Sequence, residues 1–163
     1  MITLVLSGMA LAATAQTYAD KRIASGRRGA TDLSVRVYYD SQGEAEDYEY
    51  ILAGNYSETI QNYPEYRSVN KWAVPFVGTG EEMVLFLKEL YSLSEKYCGE
   101  SGIGTDVFGL RVEKQAKYLY IYSEEGGPVT LREKDILQFS KKLRDYIIST
   151  GGDLVYYGKA GRR

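Results

Sequence analysis

Helical periodicity appears in only two windows of this chain and strand periodicity in most of the rest, which commits its 163 residues to an α+β arrangement. In the first window Met83, Phe86, Leu87, Leu90 and Tyr97 fall on one stripe, with Lys88, Glu89, Glu95 and Lys96 on other faces. Thr79-Gly80-Glu81-Glu82 ahead of it is a capping box, in which a hydroxyl and a carboxylate satisfy two free amides of the helix start; Gly99 supplies a left-handed terminator. In the second window Ile136, Phe139, Leu143, Tyr146 and Ile147 form a stripe that runs to Gly151. Thr130-Leu131-Arg132-Glu133 repeats the capping-box pattern before it.

Strand signals fill the remainder. Leu33, Val35, Val37 and Tyr39 alternate with Ser34, Arg36 and Tyr38, the period of a half-buried strand. Asp40-Ser41-Gln42-Gly43 turns the chain, and the acidic run to Glu49 with the apolar stretch Tyr48 to Ala53 reads as the return strand of a hairpin with a long solvated loop, closed by Gly54-Asn55. Tyr56 to Asn70 mixes helical spacing with an interrupting Pro64 and reads as a loop with a short helix or strand. Lys71 to Val77 reads as a third strand, placed at an edge by Pro75. Val107 to Val112 and Lys117 to Ser123 pair as a hairpin ended by Gly126-Gly127-Pro128, with short strands at Val129 to Leu131 and Leu154 to Tyr157.

The order predicts an antiparallel or mixed sheet with two amphipathic helices packed on one face. A faint echo sets Pro75, Met83, Val84, Phe86 and Leu90 beside Pro128, Ile136, Leu137, Phe139 and Leu143, as a duplicated strand-strand-helix unit would. The two capping boxes do not share that offset, which argues against duplication.

Met1 to Ala15 carries no charged side chain, is shorter than the roughly 20 apolar residues of a membrane span, and ends in the small-x-small pattern Ala13-Thr14-Ala15. It reads as a signal peptide cleaved before Gln16, although no basic residue opens it, so the mature chain is expected to be exported, periplasmic or extracellular, without a membrane span. Residues 16–31 read as a flexible tether, 32–158 as one α+β domain and 159–163 as a basic tail. With Cys98 as the sole cysteine no intrachain disulfide can form, and a chain of this size can rely on packing alone.

The absence of histidine removes the usual general base, proton shuttle and commonest metal ligand, and one cysteine rules out structural zinc. No cofactor or metal is expected. Gly99 to Asp106 has the glycine spacing of a phosphate loop but holds Thr105 where the lysine belongs, and Ser68-Val69-Asn70-Lys71 matches a serine acyl-enzyme pattern only by spacing. The carboxylates from Asp40 to Glu49 fit no EF-hand. Twenty basic residues spread along a chain of net charge −2 give no nucleic-acid footprint.

Sixteen tyrosines remain as the one functional leaning. Tyrosine forms strands well, and its rigid ring with a polar tip also suits a contact surface. Tyr118, Tyr120 and Tyr122 share one strand face, and Tyr38, Tyr48 and Tyr50 occupy the first hairpin. The expected function is an exported, non-enzymatic binding or accessory module that contacts a protein, glycan or envelope component through these six residues. The alternatives are a cofactor-independent hydrolase or lyase using carboxylate or tyrosine chemistry, and a structural or inhibitory partner protein.

Overall fold

The computed structural model describes residues 17–62, 65–96, 102–124 and 126–151. Strands β1 (Thr17–Ser25), β2 (Thr31–Tyr39), β3 (Ala45–Asn62) and β4 (Glu65–Gly78) precede helix α1 (Gly80–Lys96). Strands β5 (Ile103–Val107), β6 (Leu110–Gln115), β7 (Tyr118–Ser123) and β8 (Gly126–Arg132) precede helix α2 (Glu133–Ser149). Each set of four strands forms its own antiparallel sheet, in sequential order. The α+β class and the helices are as expected, but the strands make two sheets rather than one, each followed by a helix.

The described part of the expected tether, residues 17–31, is not a tether. From Thr17 they are strand β1, paired along β2 from Thr17 opposite Tyr39 to Ser25 opposite Asp32, and then a 3-10 turn at Arg27–Gly29. This strand lacks strong alternation because it is an edge whose first six residues are exposed, and Ala24 alone is buried. The alternation of β2 is fully realised: Thr31, Leu33, Val35 and Val37 are buried and the residues between them are not.

The region around Pro64 departs further from expectation. Gly54-Asn55 does not close the second strand, since β3 continues to Asn62 and returns through β4 as one long hairpin, from Tyr50 opposite Gly78 to Asn62 opposite Glu65. The register slips between Leu52 and Gly54, where β4 fits Val74 and Pro75 into one step. A strand proline belongs at such a bulge and on an edge, and β4 is the edge of its sheet.

The segment expected as one strand from Val107 to Val112 is split by a tight turn. Val107 pairs with Leu110, and Phe108 and Gly109 both take left-handed conformations, φ 52° and 78°. Gly126-Gly127-Pro128, expected as a terminator, begins β8. The leader, Cys98, the cap Gly99, the strand expected at Leu154 to Tyr157 and the tail fall outside the described residues.

One core joins both sheets and both helices: Leu33, Val35, Tyr50 and Leu52 from the first sheet, Val112, Leu119, Ile121 and Leu131 from the second, with Phe86, Leu90, Phe139 and Leu143 between. The sheets approach closely at Gly54. A Cβ there would stand 2.5 Å from Val129 Cγ1.

The helix starts resolve the conflict over duplication. At α1 the expected box is present: Glu82 N–H donates to Thr79 Oγ1 at 3.2 Å, and Thr79 N–H donates to Glu82 Oε2 at 2.8 Å. At α2 the Thr130–Glu133 box does not form, because Thr130 lies in β8 opposite Tyr120. Arg132 and Asp135 cap instead, with Arg132 N–H donating to Asp135 Oδ2 at 3.1 Å. Thr79 and Glu82 thus correspond to Arg132 and Asp135. From Gly80 to Glu133 and from Lys96 to Ser149 the separation is a constant 53 residues. Met83, Phe86 and Leu90 match Ile136, Phe139 and Leu143, all fully buried. The chain is consistent with repeated units of four strands and a helix.

Candidate functional site

The six expected contact tyrosines divide by strand parity. Leu119 and Ile121 of β7 are buried, so Tyr118, Tyr120 and Tyr122 stand half-exposed on the opposite face. Tyr122 is tied down there: its hydroxyl donates to Glu113 Oε2 at 3.1 Å, and the Arg111 guanidinium lies 4.5 Å above its ring. Burial, then the hydrogen bond and charge of Glu113, push the Tyr122 hydroxyl above its ordinary pKa. The Arg111 hydrogen bond holds Glu113 below the usual carboxylate range. Tyr118 has the Lys117 ammonium 5.6 Å from its ring.

In the first sheet, Tyr38 faces outward and its hydroxyl donates to Glu49 Oε2 at 3.1 Å. Beside it Tyr18 sits 6.0 Å from the Tyr38 ring, with Arg36 4.5 Å above the Tyr18 ring. Arg36 and Asp20 form a two-point ion pair, 2.7 and 3.0 Å, whose hydrogen bond lowers the Asp20 pKa. Tyr48 and Tyr50 turn the other way. Tyr50 is 4% exposed and meets Tyr146 edge-on, which takes it out of a contact surface, whereas Tyr48 packs against the same core and stays half-exposed.

The most exposed aromatic residues were not among the six. The distal half of the β3–β4 hairpin, from Ser57 to Lys71, buries none of its described side chains. Near its outer end Tyr66 is 72% exposed and near its base Trp72 is 56% exposed. Ile60 and Val69 are exposed on the opposite face of the ribbon, and side-chain links between the strands include the Lys71–Glu58 ion pair and Ser57 Oγ donating to Asn70 Oδ1 at 2.9 Å. The signal available in the sequence was Tyr56, Ile60, Tyr66 and Trp72 on either side of Pro64, read without a helix in mind.

Clefts lie elsewhere. One of about 370 Å³ follows the α1–α2 seam, lined by Val84 and Leu137 together with Lys88, Lys141 and Arg144. A second, of about 270 Å³, lies between the Arg27–Gly29 turn and the start of α2, with Tyr118, Arg132 and Asp135 in its walls. Glu89 and Asp106 face a third of about 180 Å³, where Asp106 Oδ1 accepts the Gly109 N–H at 3.0 Å. Among the described residues no three His, Cys, Asp or Glu side chains could together hold a metal ion, and no helix is long and apolar enough to cross a membrane. Comparison of the chain with protein-family models, with curated proteins and with solved structures finds no match.

Proposed function

We propose that the chain is an exported, non-enzymatic module that binds a protein partner through aromatic-bearing strands. The observation that carries this reading is the β3–β4 hairpin. A two-stranded ribbon without a covering layer is only marginally stable in water, and this one exposes Ile60, Tyr66, Val69 and Trp72 while adding little to the core. Aromatic residues on a projecting element are the usual anchors of protein interfaces. The outer face of β7 is the second surface, where Tyr118 and Tyr120 offer hydroxyls that no described residue engages. Export rests on the uncharged opening segment and its small-x-small end.

The test places a photo-crosslinking amino acid at Trp72 or Tyr120 in the native host. One protein should be trapped from position 72, and Tyr66→Ser should abolish the adduct. Adducts indifferent to Tyr66→Ser, or none at either position, would refute the reading. N-terminal sequencing of the purified protein checks export separately, and the mature chain is expected to begin at Gln16.

A further inference from the structure

The cleft at the start of α2 concentrates positive charge in a chain whose formal net charge is −2. Its floor is neutralised: Arg132 Nη2 and Nε donate to the two oxygens of Asp135 at 2.8 and 3.0 Å, and the Arg27 backbone also hydrogen-bonds to that carboxylate. The side chains of Arg27 and Arg28 remain, and neither forms an ion pair with a described carboxylate. A depression of about 240 Å³ that shares Arg132 adds Lys117 and Lys134, with Glu133 between them.

The repeated architecture supplies a comparison within the molecule. In each sheet the first hairpin turn holds two consecutive residues in the left-handed region. Phe108 and Gly109 do so beside α1, and Arg28 and Gly29, at φ 57° and 67°, do so beside α2. Phe108 lies edge-on to Phe76 at 5.8 Å and to Phe86 at 5.9 Å, half-exposed beside a cleft of about 340 Å³. The β1–β2 turn instead places an arginine in a conformation that glycine tolerates far better, lining the cleft at the start of α2. Ring contacts account for the phenylalanine; no ring contact or ion pair with a described residue accounts for the arginine.

We propose that this cleft binds a small organic phosphate monoester, with Arg27 and Arg28 holding the phosphoryl group and Tyr118 supporting the organic part. Two free guanidiniums match a phosphate dianion in charge and in fork geometry, and exceed what one carboxylate can use. A volume of about 270 Å³ lies just under the range of drug-sized pockets, roughly 300–1,000 Å³, so the ligand is small. Tyr118 borders both this cleft and the outer face of β7, but the arginine variants leave Tyr66, Trp72 and Tyr120 untouched, so failure here is distinguishable from failure of the protein-binding reading.

The test is calorimetric titration of the full chain with phenyl phosphate, inorganic phosphate and benzoate. Phenyl phosphate should bind saturably, and more tightly than benzoate by about tenfold. Arg27→Gln and Arg28→Gly should each weaken it by about tenfold, and Tyr118→Leu should erase its advantage over inorganic phosphate. Arg28→Gly should also raise Tm, because glycine relieves the left-handed backbone while removing the cation. A purely structural Arg28 would lose Tm instead. Unchanged affinity in both arginine variants, benzoate as tight as phenyl phosphate, an intact preference in Tyr118→Leu, or no saturable heat up to about 10 mM ligand would each overturn the proposal.

Discussion

Gly54→Ala tests the apposition of the two sheets, on which the position of every surface described above depends. The added Cβ would stand 2.5 Å from Val129 Cγ1, 3.2 Å from Val129 Cγ2 and 3.1 Å from the Ala30 carbonyl oxygen. Ordinary carbon contacts need about 3.5–4.0 Å, so the overlap with one methyl is about 1 Å. Val129 is fully buried and β-branched, which leaves it little freedom to swing aside, and Ala30 O is held by the Asn55 N–H at 2.8 Å. Overpacking of this kind costs about 1–3 kcal/mol, and the rigidity of both neighbours puts it toward the upper end. Val129→Ala alone removes two methyl groups and should cost about 2 kcal/mol. In the double variant the new methyl enters the vacated space, so the total should stay near 2 kcal/mol rather than reach the additive value of about 4–5 kcal/mol. Urea denaturation followed by far-UV circular dichroism measures all three. Additivity within about 0.5 kcal/mol would mean that Gly54 and Val129 do not touch, and the two-sheet arrangement would fall with it.

Phe86→Ala should destabilise by about 3–5 kcal/mol, because the ring is fully buried and stacked on Phe76 at 4.1 Å. Phe108→Ala, half exposed, should cost under about 2 kcal/mol, and equal losses in urea melts would contradict the difference in burial between the two rings. Asp135 is 5% exposed; burial alone would raise its pKa, but the hydrogen bonds and charge of Arg132 and the Arg27 backbone outweigh it, leaving the carboxyl below its ordinary value. Its stabilisation is therefore complete above the unfolded aspartate value near 4 and disappears as pH falls through the depressed folded one. Asp135→Asn should cost about 2 kcal/mol at pH 7 and flatten the acid limb of stability against pH, read from urea midpoints between about pH 6 and 2. An unchanged limb would place Asp135 outside the cap.

What was legible in the sequence was whatever a single buried face imposes. The β2 alternation and both helical stripes follow from having one side in the core, and all of these elements stand where their spacing put them. β1 was missed because an edge strand with most residues in solvent has no pattern to enforce, and its polar composition imitates a linker. The β3–β4 hairpin was missed for the same reason: neither of its faces is buried beyond the bulge, so no period survives there. Thr130 misled because the capping-box pattern was satisfied by chance two residues early, whereas Arg132 and Asp135 do the same work with an ion pair. Had that cap been recognised, the register of the two helices would have agreed with the apolar echo.

The candidate surfaces differ in the same way. Tyr48 and Tyr50 share parity with Leu52, a fully buried residue, so their inward position followed from the strand period once Leu52 was taken as core. The arginine cleft had no such handle. Gly26-Arg27-Arg28-Gly29 is a basic turn like many others, and nothing local says that it will meet Tyr118 and Arg132, which lie about a hundred residues later. That meeting depends on the β1–β2 turn reaching the start of α2, where the Arg27 backbone hydrogen-bonds to Asp135. Arg132 and Asp135 pair with each other there, whereas the side chains of Arg27 and Arg28 form no ion pair with a described carboxylate. The charge of the cleft therefore arises from a contact between segments distant in the chain, and no local pattern encodes it.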